Sequence, residues 1–140
     1  MRYLGLDLGT KTLGVSISDL THTIATPLTI IRFEDSDYDS IYSKLKEIID
    51  EYSINKIILG FPKNMNNTIG ERGNTTLKFK DKLIEWYGID VVMQDERLTT
   101  VEATNYLLEA DMSRKKRKKK IDSLAANIIL QSYLDKERNG

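Results

Sequence analysis

The sequence predicts an α/β protein built on one mixed five-stranded sheet that is flanked by helices. Three short β-type runs come first, and two further apolar runs then alternate with segments of helical periodicity. A strand meander followed by βα units is typical of a mixed sheet with helices packed on its faces. The 140 residues are enough to bury a hydrophobic core, and we expect a single domain over residues 1–140.

The first two strands are predicted at residues 3–8 and 12–18. A short glycine-containing turn joins them, which indicates a hairpin. Side chains alternate along the second run: Leu13, Val15 and Ile17 share one face, and Gly14, Ser16 and Ser18 share the other. A third strand is predicted over 24–31, where Pro27 implies an edge position or a bulge.

Four helices are predicted from apolar residues that recur every three or four positions. They span 39–52, 71–87, 100–110 and 121–136. Two short strands are predicted between them, at 56–59 and 90–94, and their continuous apolar runs suit a parallel sheet that is covered on both faces. The resulting order, β-β-β-α-β-α-β-α-α, is the layout of the RNase H-like fold.

The composition restricts the chemistry. Cysteine is absent and His22 is the only histidine, which excludes disulfides and thiolate catalysis and disfavours a zinc site. Any bound metal would have mainly oxygen ligands, which favours Mg²⁺ or Mn²⁺. We assign no role to His22. No apolar run approaches the length of a membrane span, and the N-terminus does not resemble a secretory signal, so we expect a cytoplasmic protein without a membrane partner.

The charge is unevenly distributed although its formal sum is zero. Seven consecutive basic residues, here called the basic segment, are Arg114, Lys115, Lys116, Arg117, Lys118, Lys119 and Lys120. Removing these seven from the 21 basic residues leaves 14 against 21 acidic ones, a net charge of −7. A basic segment on an otherwise acidic protein indicates a polyanionic partner. The alternative interpretation is a solvated, mobile loop that promotes solubility.

Acidic residues follow two of the predicted strands. Asp7 lies in or at the end of the first strand, where a carboxylate is costly unless it is paired, hydrogen-bonded or bound to metal. Asp95 and Glu96 follow the strand at 90–94, at the carboxyl edge where open α/β sheets place their sites. Each has a simpler interpretation: Asp7 as a cap of the Gly9 turn, and the pair as a solvated loop.

Asp122 lies at the start of the last predicted helix, where the helix dipole favours a carboxylate. It shares a helical face with Ala125, Ala126 and Ile129, and two alanines allow the helix to approach the sheet closely. A plain first-turn helix residue is the alternative. Taken together, carboxylates from two strand ends and a helix could hold two divalent cations ~4 Å apart for phosphodiester hydrolysis.

Four segments of the sequence resemble the YqgF family, also called RuvX, of Holliday junction resolvase-like proteins. The segments are Leu6-Asp7-Leu8-Gly9-Thr10-Lys11-Thr12-Leu13-Gly14-Val15, Gly60-Phe61-Pro62-Lys63-Asn64-Met65, Asp95-Glu96-Arg97-Leu98-Thr99-Thr100 and Asp122-Ser123-Leu124-Ala125-Ala126-Asn127-Ile128-Ile129-Leu130-Gln131. The resemblance covers nearly the whole chain. Phe61 stands where the family usually has leucine, and Asn66 where many members have aspartate; neither change touches the acidic residues.

The resemblance implies an RNase H-like fold and a magnesium-dependent acidic site. By position, the metal-binding and catalytic carboxylates would be Asp7, Glu96 and Asp122. Asp95 is the alternative to Glu96. Neighbouring strand residues point in opposite directions, so only one of the two is expected to face the metals. Family members are thought to mature the 5′ end of the small-subunit ribosomal RNA precursor, and an older proposal is the cleavage of four-way DNA junctions.

Several residues outside the acidic set are candidates for contact with nucleic acid. The basic segment could bind phosphates without sequence preference. Lys63 and Asn64 follow a parallel strand, and Lys11 lies in the first turn, so each could reach a phosphate or simply belong to a turn. Arg97 could touch the scissile phosphate or pair with Asp95.

Three other functions compete with an rRNA nuclease. The first hairpin also resembles the phosphate loop of actin-like and sugar-kinase ATP-binding proteins, but these close two such domains around a nucleotide, and 140 residues supply one. A non-catalytic RNA-binding ribosome assembly factor would not need the acidic residues. A junction resolvase normally needs a symmetric dimer. The sequence leaves open whether the protein is a monomer or a homodimer, and only the resemblance favours RNA over branched DNA.

Overall fold

The computed structural model describes residues 1–9, 11–34, 37–61, 71–95 and 114–139. The strands are β1 (Arg2–Leu8), β2 (Thr12–Ser18), β3 (Ala25–Arg32), β4 (Ile54–Phe61) and β5 (Asp90–Asp95). The helices are α1 (Asp39–Tyr52), α2 (Glu71–Tyr87) and α3 (Arg114–Asn139). The strands and the first two helices match the predicted ones to within about two residues at most ends. The helix predicted over 100–110 lies outside the described residues.

The five strands form one sheet in the order β3-β2-β1-β4-β5. The hairpin partners β1 and β2 are antiparallel, as are β2 and β3, whereas β1, β4 and β5 run parallel. The sheet is therefore mixed, as predicted, and β1 is its central strand. Because β1, β4 and β5 are parallel, their carboxyl ends meet at one edge of the sheet, which is here called the carboxyl edge.

Pro27 lies where its chemistry requires. Strand β3 is at the edge of the sheet, and its pairing with β2 shifts register between Val15 and Ser16, where Ser16 faces Pro27. Proline has no N–H to donate to a ladder, so edge strands and bulges are the places that tolerate it. The structure combines both of the predicted alternatives.

The sheet is covered on both faces, and β4 shows this most clearly. Ile57, Ile58 and Leu59 are all fully buried, but alternate side chains enter different clusters. Ile57 and Leu59 join the main core beneath α1 and α2, whereas Ile58 joins a second cluster beneath α3. The second cluster consists of Tyr3, Ala25, Ile58, Ile129, Leu130 and Leu134. Helix α3 therefore covers one face of the sheet, and α1 and α2 cover the other.

Helix α3 begins earlier than predicted. It starts at Arg114 rather than at residue 121, so the basic segment is helical and its interpretation as a loop was wrong. Lysine and arginine are good helix formers and the segment contains no glycine or proline, but apolar periodicity cannot detect a helix made of basic residues. Asp122 is consequently the ninth residue of α3. The dipole argument for this residue fails, since the dipole acts within the first turn.

No helix in the described part of the chain is both long enough and apolar enough to cross a membrane.

Candidate active site

Asp7 lies near the carboxyl end of the central strand. Its neighbours Leu6 and Leu8 are buried in the main core, and Asp7 itself is partly buried. Its partner across the hairpin is Gly14, which has no side chain to cover it. Strand alternation directs Asp7 to the face of the sheet that carries α3. The sequence prediction of a carboxylate at the end of a central strand is confirmed.

Helix α3 approaches the sheet closely beside this strand. A methyl group added at Gly5 would lie 2.7 Å from the Cβ of Leu130 and 3.0 Å from the carbonyl oxygen of Ala126, and it would overlap the hydroxyl of Ser16. Ala125 and Ala126 are both buried. The small residues on the two elements allow this contact, as the alanine pair predicted.

Two buried or partly buried polar side chains fix α3 in place, and sequence analysis missed both. The hydroxyl of Ser16 donates to the carbonyl oxygen of Ala126 at 2.9 Å. The amide of Gln131 bridges the segment before β3: its oxygen accepts from the N–H of Ala25 at 2.8 Å, and its nitrogen donates to the carbonyl oxygen of Thr23 at 2.9 Å. The one signal in the sequence was a serine at a buried strand position, opposite the apolar face of β2.

Contacts between β1 and α3 advance in step along both elements. Tyr3 lies at the amino end of β1, and its hydroxyl donates to the carboxylate of Glu137 at 3.1 Å. Its ring packs against Tyr133, with centroids 6.1 Å apart. Two residues further along β1, Gly5 faces Leu130 and Ala126. Strand β1 and helix α3 therefore run in opposite directions, so residues later in β1 contact residues earlier in α3.

The other predicted site residues are described less completely. Asp95 ends β5, and Asp122 and the basic segment lie in the first part of α3; the side chains of these residues lie outside the described part of the chain. Glu96, Arg97, Lys63 and Asn64 lie outside the described residues. Lys11 is exposed between β1 and β2, at the carboxyl edge close to Asp7. The positions of Glu96 and of the Asp122 side chain relative to Asp7 therefore lie outside the described residues.

Among the described residues, no three histidine, cysteine or acidic side chains group together to hold a metal ion. His22 lies at the far end of β1 from Asp7: its ring stacks on Tyr3 with centroids 4.0 Å apart, and Nε2 is 2.8 Å from the carbonyl oxygen of Met1. A carboxylate is therefore the donor that the described part of this edge offers. Such a hard oxygen donor fits Mg²⁺ or Mn²⁺.

One further polar atom lies beneath α3. The side-chain oxygen of Asn127 is buried and has no hydrogen-bond partner among the described residues. Asn127 directly follows Ala126, whose carbonyl oxygen contacts the sheet. Unpaired buried oxygens are uncommon, because the free-energy cost of removing the oxygen from water is not offset by a hydrogen bond within the protein.

Proteins of similar sequence match this chain over nearly its whole length. The protein named "Putative pre-16S rRNA nuclease" from Thermoanaerobacter pseudethanolicus is 51% identical over 140 residues, which is 99% of each chain. The protein of the same name from Bacillus subtilis is 52% identical over 135 residues, covering 96% of this chain and 98% of that one.

Solved structures share the fold at low sequence identity. RuvC of Thermus thermophilus in complex with a Holliday junction substrate superposes with a TM-score of 0.61 at 13% identity, covering 99% of this chain and 96% of that one. The Holliday junction resolvase of fowlpox virus gives a TM-score of 0.57 at 14% identity, covering 97% and 99%. These likenesses confirm the predicted RNase H-like fold. The family model described as "RuvX: Holliday junction resolvase" matches residues 1–136. Because this match and the half-identical relatives both cover nearly the whole chain, the chain belongs to the RuvX family.

Proposed function

We propose that this protein is a metal-dependent nuclease that hydrolyses phosphodiester bonds during maturation of the 5′ end of pre-16S rRNA. The observation that carries the proposal is Asp7, a partly buried carboxylate at the carboxyl edge of the central strand, on the face that α3 covers. Half-identical, full-length relatives bear the name of a pre-16S rRNA nuclease, which supports the choice of RNA. The proposed ligands of Mg²⁺ or Mn²⁺ are the carboxylates of Asp7, Glu96 and Asp122.

The register between β1 and α3 supports the pairing of Asp7 with Asp122. Two residues of a strand advance ~6.6 Å, and four residues of a helix advance ~6 Å. Gly5 faces Ala126, so one further step on each element leads to Asp7 and to position 122. Buried alanines on this face of α3 keep the helix close to the sheet up to that step.

The sheet order supports Glu96 as the third carboxylate. Asp95 ends β5 opposite Phe61 of β4, and β4 separates β5 from β1. Two strand spacings amount to about 9.6 Å, a gap that a glutamate side chain and a bound ion can span together. Of the two acidic residues, we assign the site to Glu96, with Asp95 as the alternative.

The proposed site holds like charges together, which is costly without counter-charge. Asp7, Glu96 and Asp122 would hold divalent cations, which would supply that counter-charge and would favour activation of water and stabilisation of the leaving oxygen. The protein's part is to fix the carboxylates: β1 holds Asp7 rigidly between two buried leucines, and the contact of Ser16 with α3 sets the distance to the helix. The acidic set also repels nucleic acid that arrives without metal.

The basic segment is the proposed nucleic-acid contact. It occupies the first two turns of α3, and its first residue lies eight positions, or about 12 Å of helix, from Asp122. A phosphate backbone bound there would pass close to the acidic site. Lys11, Lys63, Asn64 and Arg97 are proposed as further contacts around the same edge.

A second candidate is the cleavage of four-way DNA junctions, either as a monomer or as a homodimer. The family description and the fold shared with a junction-bound RuvC favour it. A third candidate is an RNA-binding ribosome assembly factor without catalysis, in which the basic segment alone would matter.

One experiment separates these candidates. Purified protein is incubated with end-labelled pre-16S rRNA and with a synthetic four-way DNA junction, in Mg²⁺, in Mn²⁺ and with a chelator. Asp7→Asn tests the site, and Asp50→Asn, which removes an exposed carboxylate from α1, is the matched control. Metal-dependent cleavage of the RNA that D7N abolishes and D50N retains is the expected result. Cleavage of the junction alone would indicate a resolvase, and binding without any cleavage would indicate an assembly factor.

A further inference from the structure

A groove between α1 and α2 lies on the face of the sheet opposite to Asp7. Asp39, Tyr42, Glu85 and Trp86 line it, and its volume is about 510 Å³. It is open to solvent along its length. Since α1 and α2 lie on one face and α3 on the other, the groove is separate from the proposed nuclease site.

The aromatic walls of the groove are preorganised. The rings of Tyr42 and Trp86 meet edge to face at 80°, with centroids 5.5 Å apart, and form a corner. Tyr87 stacks on Tyr42 at 8° and 5.5 Å, and its hydroxyl donates to the carbonyl oxygen of Tyr42 at 2.8 Å. The helices therefore hold this corner in place without a ligand.

Two acidic residues among the described lining set the charge preference. Asp39 and Glu85 are exposed carboxylates at the groove. Aromatic faces and carboxylates both attract cations, and together they form a typical cation-binding surface. The protein's own Lys82 shows this attraction, because its ammonium lies 5.6 Å from the centroid of the Trp86 ring. An incoming cation therefore has to displace this long side chain or take another part of the corner.

Aromatic surfaces in nucleic-acid enzymes often stack bases, but this groove is unsuited to that use. A stacked base brings its phosphate within a few ångströms, and Asp39 and Glu85 would repel it. The groove also differs in sign from the basic segment, which belongs to α3 rather than to α1 or α2. The charge argues for a cationic occupant.

We propose that this groove binds an arginine side chain from a basic segment of a partner protein. A planar guanidinium can stack on Tyr42 or Trp86 and still donate to the carboxylates, which a compact ammonium cannot do as well. A groove this open would bury too little of a free small cation to hold it tightly. An extended peptide can add contacts along α1 and α2, and the net charge of −7 outside the basic segment would attract it.

The chain provides its own reporter for this proposal, because Trp86 is its only tryptophan. The full-length protein is titrated with an acetylated hexa-arginine peptide, with spermidine and with a single-stranded RNA oligonucleotide, and Trp86 fluorescence is followed. We expect a saturable change with the peptide, and at least tenfold weaker binding when Asp39→Asn and Glu85→Gln are combined. Glu85→Gln alone, which leaves the first residue of α1 unchanged, is expected to weaken binding at least threefold.

The matched control combines Asp50→Asn and Glu51→Gln. It also removes one aspartate and one glutamate carboxylate, but from the far end of α1, where both side chains are exposed. This pair is expected to bind the peptide within twofold of the parent, and circular dichroism confirms that every variant is folded. An equal loss in the control pair would show nonspecific attraction and overturn the proposal. Binding of spermidine as tightly as the peptide, a response to RNA alone, or no response of Trp86 to the peptide would each overturn it as well.

Discussion

The hydroxyl of Ser16 and the carbonyl oxygen of Ala126 are joined by a buried hydrogen bond of 2.9 Å, although 110 positions separate them in the chain. The bond links β2, in the first hairpin, to the last helix, and it lies beside the close approach of α3 to Gly5 of β1. The proposed site needs carboxylates from both elements. This contact helps to fix where α3 lies against the sheet, and so contributes to the spacing that the proposed site needs.

The first prediction concerns this bond. Ser16→Ala removes a buried donor and should lower the free energy of unfolding by about 1 kcal/mol, measured by urea denaturation. Ser132→Ala, which changes an exposed serine on α3, should leave it within about 0.5 kcal/mol. Equal effects of the two changes would show that the contact between β2 and α3 contributes nothing to stability.

The second prediction concerns the close approach at Gly5. A Cβ at this position would lie 2.7 Å from the Cβ of Leu130 and 3.0 Å from the oxygen of Ala126, so Gly5→Ala must push α3 away from β1. Overpacking of this kind costs about 1–3 kcal/mol. Because the shift also separates Asp7 from position 122, we expect cleavage of pre-16S rRNA to fall at least tenfold at a temperature where the variant remains folded.

Gly88→Ala separates displacement from simple loss of stability. Gly88 directly follows α2 and has a φ of +64°, and a Cβ there would meet nothing within 4 Å. The substitution therefore introduces backbone strain of about 1 kcal/mol without moving α3. G88A should keep its cleavage rate while G5A loses it; a proportional loss in both variants would refute the role of the helix position.

The third prediction is a pH dependence that arises at the turn between β2 and β3. The carboxylate of Asp19 accepts hydrogen bonds from the hydroxyl of Thr21 at 2.6 Å and from the N–H groups of Thr23 and Ile24 at 2.7 and 3.1 Å. These bonds, with that of Thr21 the largest cause, lower the pKa of Asp19 to about 2. The unfolded chain binds the proton more readily, so the stabilisation is complete above the ordinary pKa of 3.8 and is lost as the pH falls towards 2.

Thermal unfolding between pH 2 and pH 6 tests this prediction. The parent should exceed Asp19→Asn in Tm at pH 6, and the difference should shrink as the pH approaches 2. Asp50→Asn corrects for the loss of one negative charge. A difference between parent and D19N that stays constant over this range would contradict the assignment.

The sequence predicted most of the sheet because its signals are local. The alternation in β2, the continuous apolar run of Ile57 to Leu59 and the restriction at Pro27 each depend on neighbouring residues alone, and the structure confirms all three. The start of α3 was missed because basic residues carry no apolar period. Ser16 and Gln131 were missed for a different reason: their partners, Ala126, Ala25 and Thr23, lie more than 100 residues away.

The candidate site was predicted from the same kind of local signal. Such a signal identifies single residues but does not show how distant residues come together. A carboxylate at the end of a central strand identifies Asp7, and the structure places it there. The convergence of Asp7 with Glu96 and Asp122 depends on how three elements pack at one edge, which no single segment encodes. The strand-end and helix positions suggested that convergence, the family resemblance selected the three residues by position, and it stays a prediction.

The last prediction concerns the basic segment. Replacing Lys115, Lys116, Lys118 and Lys119 by glutamine keeps good helix formers in α3 but removes four positive charges. If these residues bind phosphates, affinity for RNA should fall, and the slope of log K against log salt should become shallower by ~0.7 for each single-strand phosphate that the variant no longer neutralises. Replacing Lys44, Lys46 and Lys78, which are exposed on α1 and α2, should change the slope by less than one phosphate's share.

The helical form of the segment sharpens this expectation, because successive residues of a helix point about 100° apart. A bound strand can touch only part of the segment at once, so the slope should change by less than the share of four phosphates, and an unchanged slope would remove the basic segment from the nucleic-acid interface.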